Sequence, residues 1–216
     1  MPAALAAAEI ANTLIQGIGT LLSIGGLVVL VHLAAPQGGA LAVASTAVYG
    51  GTLILAFLSS TLYHGIGTWH AKAKAALRTA DHCTIYLLIA GTYTPIALLV
   101  LRDALGWALL ATVWTLAASG VVLRIVWPHH LLKLRIGLYL ILGWLVVAWG
   151  QPVVHGLGLM GTGLLALGGL AYSLGVIFYR WQRLPFHRPI WHLFVVAGSA
   201  CHFAAIAFYV IPAYAA

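Results

Sequence analysis

The sequence has few ionisable side chains, and this scarcity excludes most classes of soluble protein. Only 3 of its 216 residues are acidic and 6% are charged, whereas 63% are hydrophobic. A soluble domain of 22.8 kDa needs far more polar surface to stay in solution. Several continuous apolar runs reach about 20 residues, which is enough to cross the hydrocarbon core as α-helices. The composition therefore predicts an integral membrane protein.

Cysteine is also scarce, which excludes two kinds of site. The chain has 2 cysteines, Cys83 and Cys201, and both lie in apolar segments. Without a C-x-x-C pair there is no basis for a disulfide framework or a thiolate zinc site.

A net charge of +7 is typical of proteins that bind nucleic acid, but the Lys and Arg residues are spread over short loops. Membrane orientation explains them better, so we expect no nucleic-acid partner.

Seven apolar segments predict an all-α integral membrane protein with a seven-transmembrane helix bundle. A membrane barrel would instead show segments of about 10 residues that alternate in polarity. The gaps are short and rich in helix breakers, and no long linker divides residues 1–216, so we expect one domain. The segments are 10–33, 41–65, 81–101, 105–126, 134–151, 157–179 and 190–212.

The basic residues predict the orientation of this bundle. Every Lys and Arg except Arg102 lies in or flanks one of three gaps, between segments two and three, four and five, or six and seven. Cytoplasmic loops carry an excess of Lys and Arg, so these three gaps are expected to be cytoplasmic. With seven crossings, the N-terminus is then cytoplasmic and the C-terminus external.

Four ionisable residues, Glu9, His64, Asp81 and His192, fall at cytoplasmic ends of these segments. Ionisable groups at membrane depth are costly and therefore indicate function. Ser60 and His64 are four residues apart and share a helix face. Histidine nitrogen is a zinc ligand, and a neighbouring carboxylate can orient a metal-bound water or accept its proton.

These residues predict an open zinc site with a catalytic role for Asp81 and Ser60. Each residue also has a purely structural interpretation. His64 could simply end its helix, and Asp81 could be the N-cap of the third helix. We expect Glu9 to be a structural partner of Asn12.

Four stretches resemble the haemolysin III family, the bacterial branch of the progestin and adipoQ receptor family. The resemblance covers most of the chain, from Glu9 to about Tyr209, and its combination of motifs is specific. The stretches are Glu9–Thr13, Ser60–His64, Arg78–Pro95 and Trp191–Phe203, the last including His192 and His202.

The resemblance implies a seven-helix fold with a zinc ion near the cytoplasmic face. It implies that His64 and two histidines of the last helix hold the metal, with Ser60 and Asp81 beside the bound water. It also implies kinship to membrane hydrolases of lipid amides, of the ceramidase type, and a link to haemolysis and membrane lipid homeostasis.

The chain departs from the family at one expected ligand. The family pattern in the last helix is His-x-x-x-His, but Arg188 stands four residues before His192. His187 is one residue further back, which moves a side chain by about 100° around a helix. We predict His187 as the third ligand if the helix begins only after Pro189; otherwise water or Asp81 takes that place.

The sequence therefore favours a zinc-dependent membrane hydrolase whose lipid substrate, an amide or ester, enters from the bilayer. The alternative is a non-enzymatic receptor-like or pore-forming protein with a structural metal. A third interpretation places a haem between His64 and His192, because facing helices of membrane cytochromes supply such pairs.

Overall fold

The computed structural model describes residues 3–67, 70–127 and 132–215, and all regular structure among them is helical. Six helices in this part of the chain are long and apolar enough to cross a membrane. The predicted all-α membrane class is confirmed. The helices are α1 (Leu5–Gln37), α2 (Gly39–Gly65), α3 (Ala71–Leu101), α4 (Ala104–Val126), α5 (Lys133–Arg180) and α6 (His187–Tyr214).

The chain reverses between α1 and α2 at Gly39. Gly39 interrupts the helical stretch Ala3–Gly65 with a φ of 61°, a left-handed conformation that glycine adopts without steric cost. The two helices then run antiparallel, since the Oγ1 atoms of Thr20 and Thr61 lie 3.2 Å apart. The start of α1 and the end of α2 therefore lie at the same end of the bundle.

Helix α3 begins ten residues earlier than the predicted segment 81–101. It starts at Ala71, because the basic residues that lower the hydropathy there do not interrupt the helix. Lys74 extends its Nζ to the carbonyl oxygens of Tyr63 at 2.7 Å and Ile66 at 3.1 Å. A cation at these carbonyls, which have no partner within the end of α2, is favourable. The start of α3 is therefore tied to the end of α2.

The 48 residues of α5 contain a break. A short 3-10 segment, Leu145–Trp149, is followed by Gly158 with a φ of 66° and a ψ of 179°, far from helical values. The indole Nε1 of Trp144 donates a hydrogen bond of 2.9 Å to Ser173 Oγ. The parts of α5 on either side of Gly158 therefore lie side by side, and they correspond to the predicted segments 134–151 and 157–179.

The turn between α3 and α4 lies at the end of the bundle opposite to the start of α1. Arg102 has a φ of 55°, and its Nη2 donates to the carbonyl oxygen of Ala213 at 2.8 Å. Asp103 caps α4 by accepting hydrogen bonds from the backbone N–H groups of Leu105 and Gly106. The one basic residue expected on the external side therefore anchors the end of α6.

Helix α1 is polar on its inner face and apolar on its outer face. Its buried residues include Asn12 and Gln16, which are 1% and 2% exposed, and Thr20 continues the same face one turn later. Leu21 and Leu22 on the other side are 71% and 65% exposed. This distribution suits a helix whose outer face contacts lipid, and it places amide side chains inside the bundle.

Small residues bring α5 and α6 close together. A Cβ atom on Gly168 would lie 3.1 Å from the carbonyl oxygen of Gly198 and would overlap the ring of His202. Membrane helices approach this closely only where side chains are small. Gly163, in contrast, has nothing within 4 Å of such an atom.

Candidate functional site

A cavity of about 180 Å³ opens between the helices. Aromatic and aliphatic side chains make up much of its wall, and a limited set of polar groups is added to them. Sites for small molecules commonly combine an apolar wall with a few convergent polar groups. Polar residues that line the cavity include Gln16, Ser60, His64, Asp81, His192, His202 and the arginines Arg78, Arg135 and Arg188.

The ring of His64 is held by Glu9. The Nδ1–H group of His64 donates to Glu9 Oε2 at 2.9 Å, because an ionised carboxylate can only accept. Glu9 also approaches Lys74 Nζ at 3.8 Å and Arg188 Nη1 at 3.9 Å. The expected pairing of Glu9 with Asn12 is wrong, since neither polar atom of the buried Asn12 side chain has a hydrogen-bond partner among the described residues.

The rings of His64 and His192 face each other inside the bundle. Their Nε2 atoms lie 3.1 Å apart, and the ring planes meet at 82°. Gln16 contacts the Nδ1 atom of His192 through its amide group. Both side chains are buried, at 6% and 5% exposure. Each ring is therefore held at Nδ1 and turns Nε2 toward the other.

This pair matches two positions of a tetrahedral zinc site. With Zn–N bonds of 2.0–2.1 Å, tetrahedral geometry separates two ligand nitrogens by about 3.3 Å. The observed 3.1 Å is close to that value. Among the described residues, no three His, Cys, Asp or Glu side chains come close enough together to hold a metal ion. The remaining positions would then belong to water or to a ligand.

The same separation does not suit the haem interpretation. The plane of a porphyrin must fit between two axial imidazoles, and Nε2 atoms 3.1 Å apart leave no room for it.

Ser60 and Asp81 lie on the wall of the cavity with the histidines. The Oγ atom of Ser60 is buried and has no hydrogen-bond partner among the described residues. Asp81 lies in the third turn of α3, so it is not the N-cap considered from the sequence. Its carboxylate is 3.7 Å from His82 Nδ1. Both side chains are thus available to a polar ligand in the cavity.

The start of the last helix places Arg188, and not His187, on the cavity wall. The helix begins at His187, before Pro189, so the condition under which His187 is predicted as a ligand is not met. Positions 187 and 192 are separated by about 140° around a helix. Arg188 shares the face of His192, one turn away, and lines the cavity. His187 stays a predicted ligand that no contact of the described residues supports.

His202 lies deeper in the same cavity and has a different partner. Its Nε2–H group donates to the carbonyl oxygen of Leu165 at 3.2 Å. Its interpretation as a hydrogen-bonding residue, and not as a ligand beside His192, is confirmed.

Sequence reasoning missed Gln16 and underestimated Glu9. A signal for Gln16 was present, because it lies four residues after Asn12 and four before Thr20 on one face of α1. Its contact with His192 joins residues 176 positions apart, which no local pattern reveals.

Comparison with known proteins gives a consistent result over most of the chain. The family model described as "Haemolysin-III related" matches residues 6–203. Hemolysin-3 of Bacillus cereus is 46% identical over 204 residues, which cover 94% of this chain and 92% of that protein. The Hemolysin-3 homolog of Bacillus subtilis (strain 168) is 45% identical over 203 residues, 94% of each chain. The monocyte to macrophage differentiation factor of Homo sapiens is 33% identical over 170 residues, 74% of this chain and 67% of that protein.

Proposed function

The chain belongs to the haemolysin III family, and we propose that this multi-pass protein of the bacterial cell membrane is a zinc-dependent hydrolase of a lipid amide or ester. The observation that carries the proposal is the facing pair of Nε2 atoms of His64 and His192, each ring held from behind at Nδ1. A hydrogen bond from the far nitrogen to a carboxylate, as His64 makes to Glu9, is the usual support of a metal-binding histidine.

The proposed topology has seven crossings with a cytoplasmic N-terminus and an external C-terminus. It is supported by the side-by-side parts of α5, which would be two crossings joined at Gly158. A single cysteine placed at the exposed Leu159, in a chain without Cys83 and Cys201, tests this topology. Labelling from outside intact cells by a membrane-impermeant thiol reagent is expected, and protection from the reagent would contradict the topology.

His64 and His192 would hold the zinc ion; because the last helix begins at His187, water or Asp81 would take the third position that a later helix start would have given to His187. When bound, zinc lowers the pKa of a coordinated water to about 7 and so supplies hydroxide near neutral pH. The Asp81 carboxylate accepts the proton of the attacking water and passes it to the leaving amine or alcohol. Ser60 donates its otherwise unpaired hydroxyl to an oxygen at the reacting centre.

The cavity suits a lipid that lies with its polar end near the histidine pair. Leu88, Ile89 and Val195 line it and would contact an acyl chain. Arg78 and Arg188 line it as well and would donate to oxygens of the polar end.

Metal content of the purified protein tests the proposal. We expect stoichiometric zinc in the wild type, loss of zinc in His64→Ala, and zinc without turnover in Asp81→Asn. His32→Ala is the matched control, because His32 belongs to the other end of α1 and should leave the metal in place. Turnover is followed as fatty acid released from extracted membrane lipids. A wild type without zinc would refute the metal site.

The alternative is a non-enzymatic lytic or receptor-like protein, and the names of the two Bacillus relatives support a lytic role. Leakage of a dye from liposomes separates the two functions. Leakage that persists in His64→Ala, together with no fatty-acid release by the wild type, would favour lysis without hydrolysis.

A further inference from the structure

His202 presents a hydrogen-bond acceptor deep in the cavity, far from the histidine pair. It lies ten residues after His192 in α6, which corresponds to about 15 Å along a helix. Its Nε2–H group donates to the carbonyl oxygen of Leu165 at 3.2 Å, so a neutral ring has its acceptor at Nδ1. Among the described residues, no side chain or backbone group donates to this Nδ1 atom.

The packing of α5 against α6 turns this acceptor away from α5. A Cβ atom on Gly168 would overlap the Cδ2 and Nε2 atoms of His202, so that edge of the ring faces α5. Nδ1 belongs to the opposite edge. His202 is half-buried, and it contributes to the cavity wall. The acceptor is therefore available to a molecule in the cavity.

The polar side chains around His202 already use their hydrogen-bonding groups. The hydroxyl oxygens of Tyr172 and Ser199 lie 2.8 Å apart and bond to each other. Ser173 and Thr92, which also line the cavity, each donate to a carbonyl oxygen of their own helix at 2.8 Å. An unpaired polar group inside a membrane bundle is costly and indicates function. Nδ1 of His202 is thus suited to a ligand that brings its own donor.

The depth of His202 determines where on a lipid that donor must lie. Three backbone bonds of an extended peptide span about 3.3–3.6 Å, so 15 Å of extended chain corresponds to roughly a dozen bonds. Leu88, Ile89 and Val195 make the wall apolar, which suits the methylene groups of an acyl chain. A hydroxyl group about twelve bonds from the polar end of a lipid would reach Nδ1. An unsubstituted chain would leave the acceptor unpaired.

We propose that His202 is a specificity-determining residue that accepts a hydrogen bond from a hydroxyl group in the middle of an acyl chain, so that the cavity selects lipids that carry this hydroxyl. The role rests on the proposed function, which places the polar end of the lipid at the histidine pair. It divides recognition between the two ends of the cavity: the polar end of the lipid is held by the histidines and arginines, and the chain is selected by His202.

Binding of free fatty acids to the metal-free protein in detergent tests this role without hydrolysis. Displacement of a fluorescent fatty acid gives the Kd of 12-hydroxystearic acid, 2-hydroxystearic acid and stearic acid. One additional neutral hydrogen bond predicts that 12-hydroxystearic acid binds about three- to tenfold more tightly than the other two acids. Equal affinities of the three acids in the wild type would overturn the proposal.

His202→Gln separates recognition of the chain from packing of the helices. The amide nitrogen of glutamine takes the place of Nε2 and can keep the hydrogen bond to Leu165, but nothing replaces Nδ1. We expect stearic acid to bind as in the wild type and the preference for 12-hydroxystearic acid to be lost. His155→Gln is the matched control, because His155 is exposed on α5 and should leave the preference unchanged.

His202→Asn provides the complementary variant, because its amide oxygen takes the place of Nδ1 and should retain the preference. It decides if His202→Gln does not fold, and the three wild-type affinities decide if neither variant folds. A preference that persists in His202→Gln, or that disappears in a folded His202→Asn, would overturn the role of His202. A mid-chain preference in a wild type that binds no zinc and releases no fatty acid would support the role of His202 and refute the proposed function.

Discussion

Replacing Glu9 by glutamine should weaken zinc binding although Glu9 does not reach the cavity wall. The carboxylate accepts the Nδ1–H group of His64 at 2.9 Å, and a hydrogen bond to a charged group contributes about 1.5–3 kcal/mol. The Glu9 side chain is 30% exposed, which favours the lower part of that range. Lys74 and Arg188 would also lose their acidic partner, but these partly exposed pairs are present without metal, so their loss affects stability more than the zinc Kd.

The His64–Glu9 hydrogen bond strengthens when zinc draws charge from the ring, so we predict that the zinc Kd of Glu9→Gln rises about 10- to 100-fold, the range typical when the hydrogen-bond partner of a metal-bound histidine is lost. At 1.4 kcal/mol per factor of ten, this corresponds to about 1.4–2.8 kcal/mol. Competition with a chromophoric zinc chelator in detergent measures the constant directly. Thermal unfolding of the metal-free protein shows whether the variant remains folded.

Asp103→Asn is the matched control for Glu9→Gln. It also converts an acid to its amide, but it lies at the opposite end of the bundle as the N-cap of α4, where asparagine caps about as well. Its zinc Kd should equal that of the wild type. The reasoning is refuted if Glu9→Gln binds zinc as tightly as Asp103→Asn does while His64→Ala binds none.

Other contacts in the bundle support three more predictions. Arg188→His places an imidazole one turn from His192 on the same face and removes a cation, so zinc affinity should rise about tenfold or more in the same competition assay. An unchanged Kd would contradict the placement of residue 188 beside His192 on the cavity wall. Gly168→Ala should lower the unfolding temperature, at a cost of about 1–3 kcal/mol, because the added methyl group meets His202 and the Gly198 carbonyl. Gly163→Ala has open space and should not destabilise, so equal melting of the two variants would contradict the close packing of α5 against α6. Asp103→Ala should cost about 1 kcal/mol of stability through the lost cap, measured against Asp103→Asn, and equal stability of the two would argue against the cap.

The family resemblance and the spacing of Ser60 and His64 predict part of the site. Both residues line the cavity with Asp81 and His192, in keeping with the shared depth of these groups along the sequence. The predicted start of α3 is wrong by ten residues because hydropathy indicates where a helix enters the lipid, and this helix begins before that point. The prediction of His187 as a ligand requires a late helix start, and the actual start brings Arg188 to the wall.

The sequence by itself determined the membrane class, the apolar helices and the end of the bundle at which the ionisable groups gather, because hydropathy and charge act locally along the chain. Only the tertiary structure decided which side chains contact the imidazole rings of His64 and His192. The contacts of His64 with Glu9, of His64 with His192 and of His192 with Gln16 join residues 55, 128 and 176 positions apart. Such contacts depend on the turn at Gly39 and on how closely the helices pack, and a difference of one residue in helix phase would replace one partner with another.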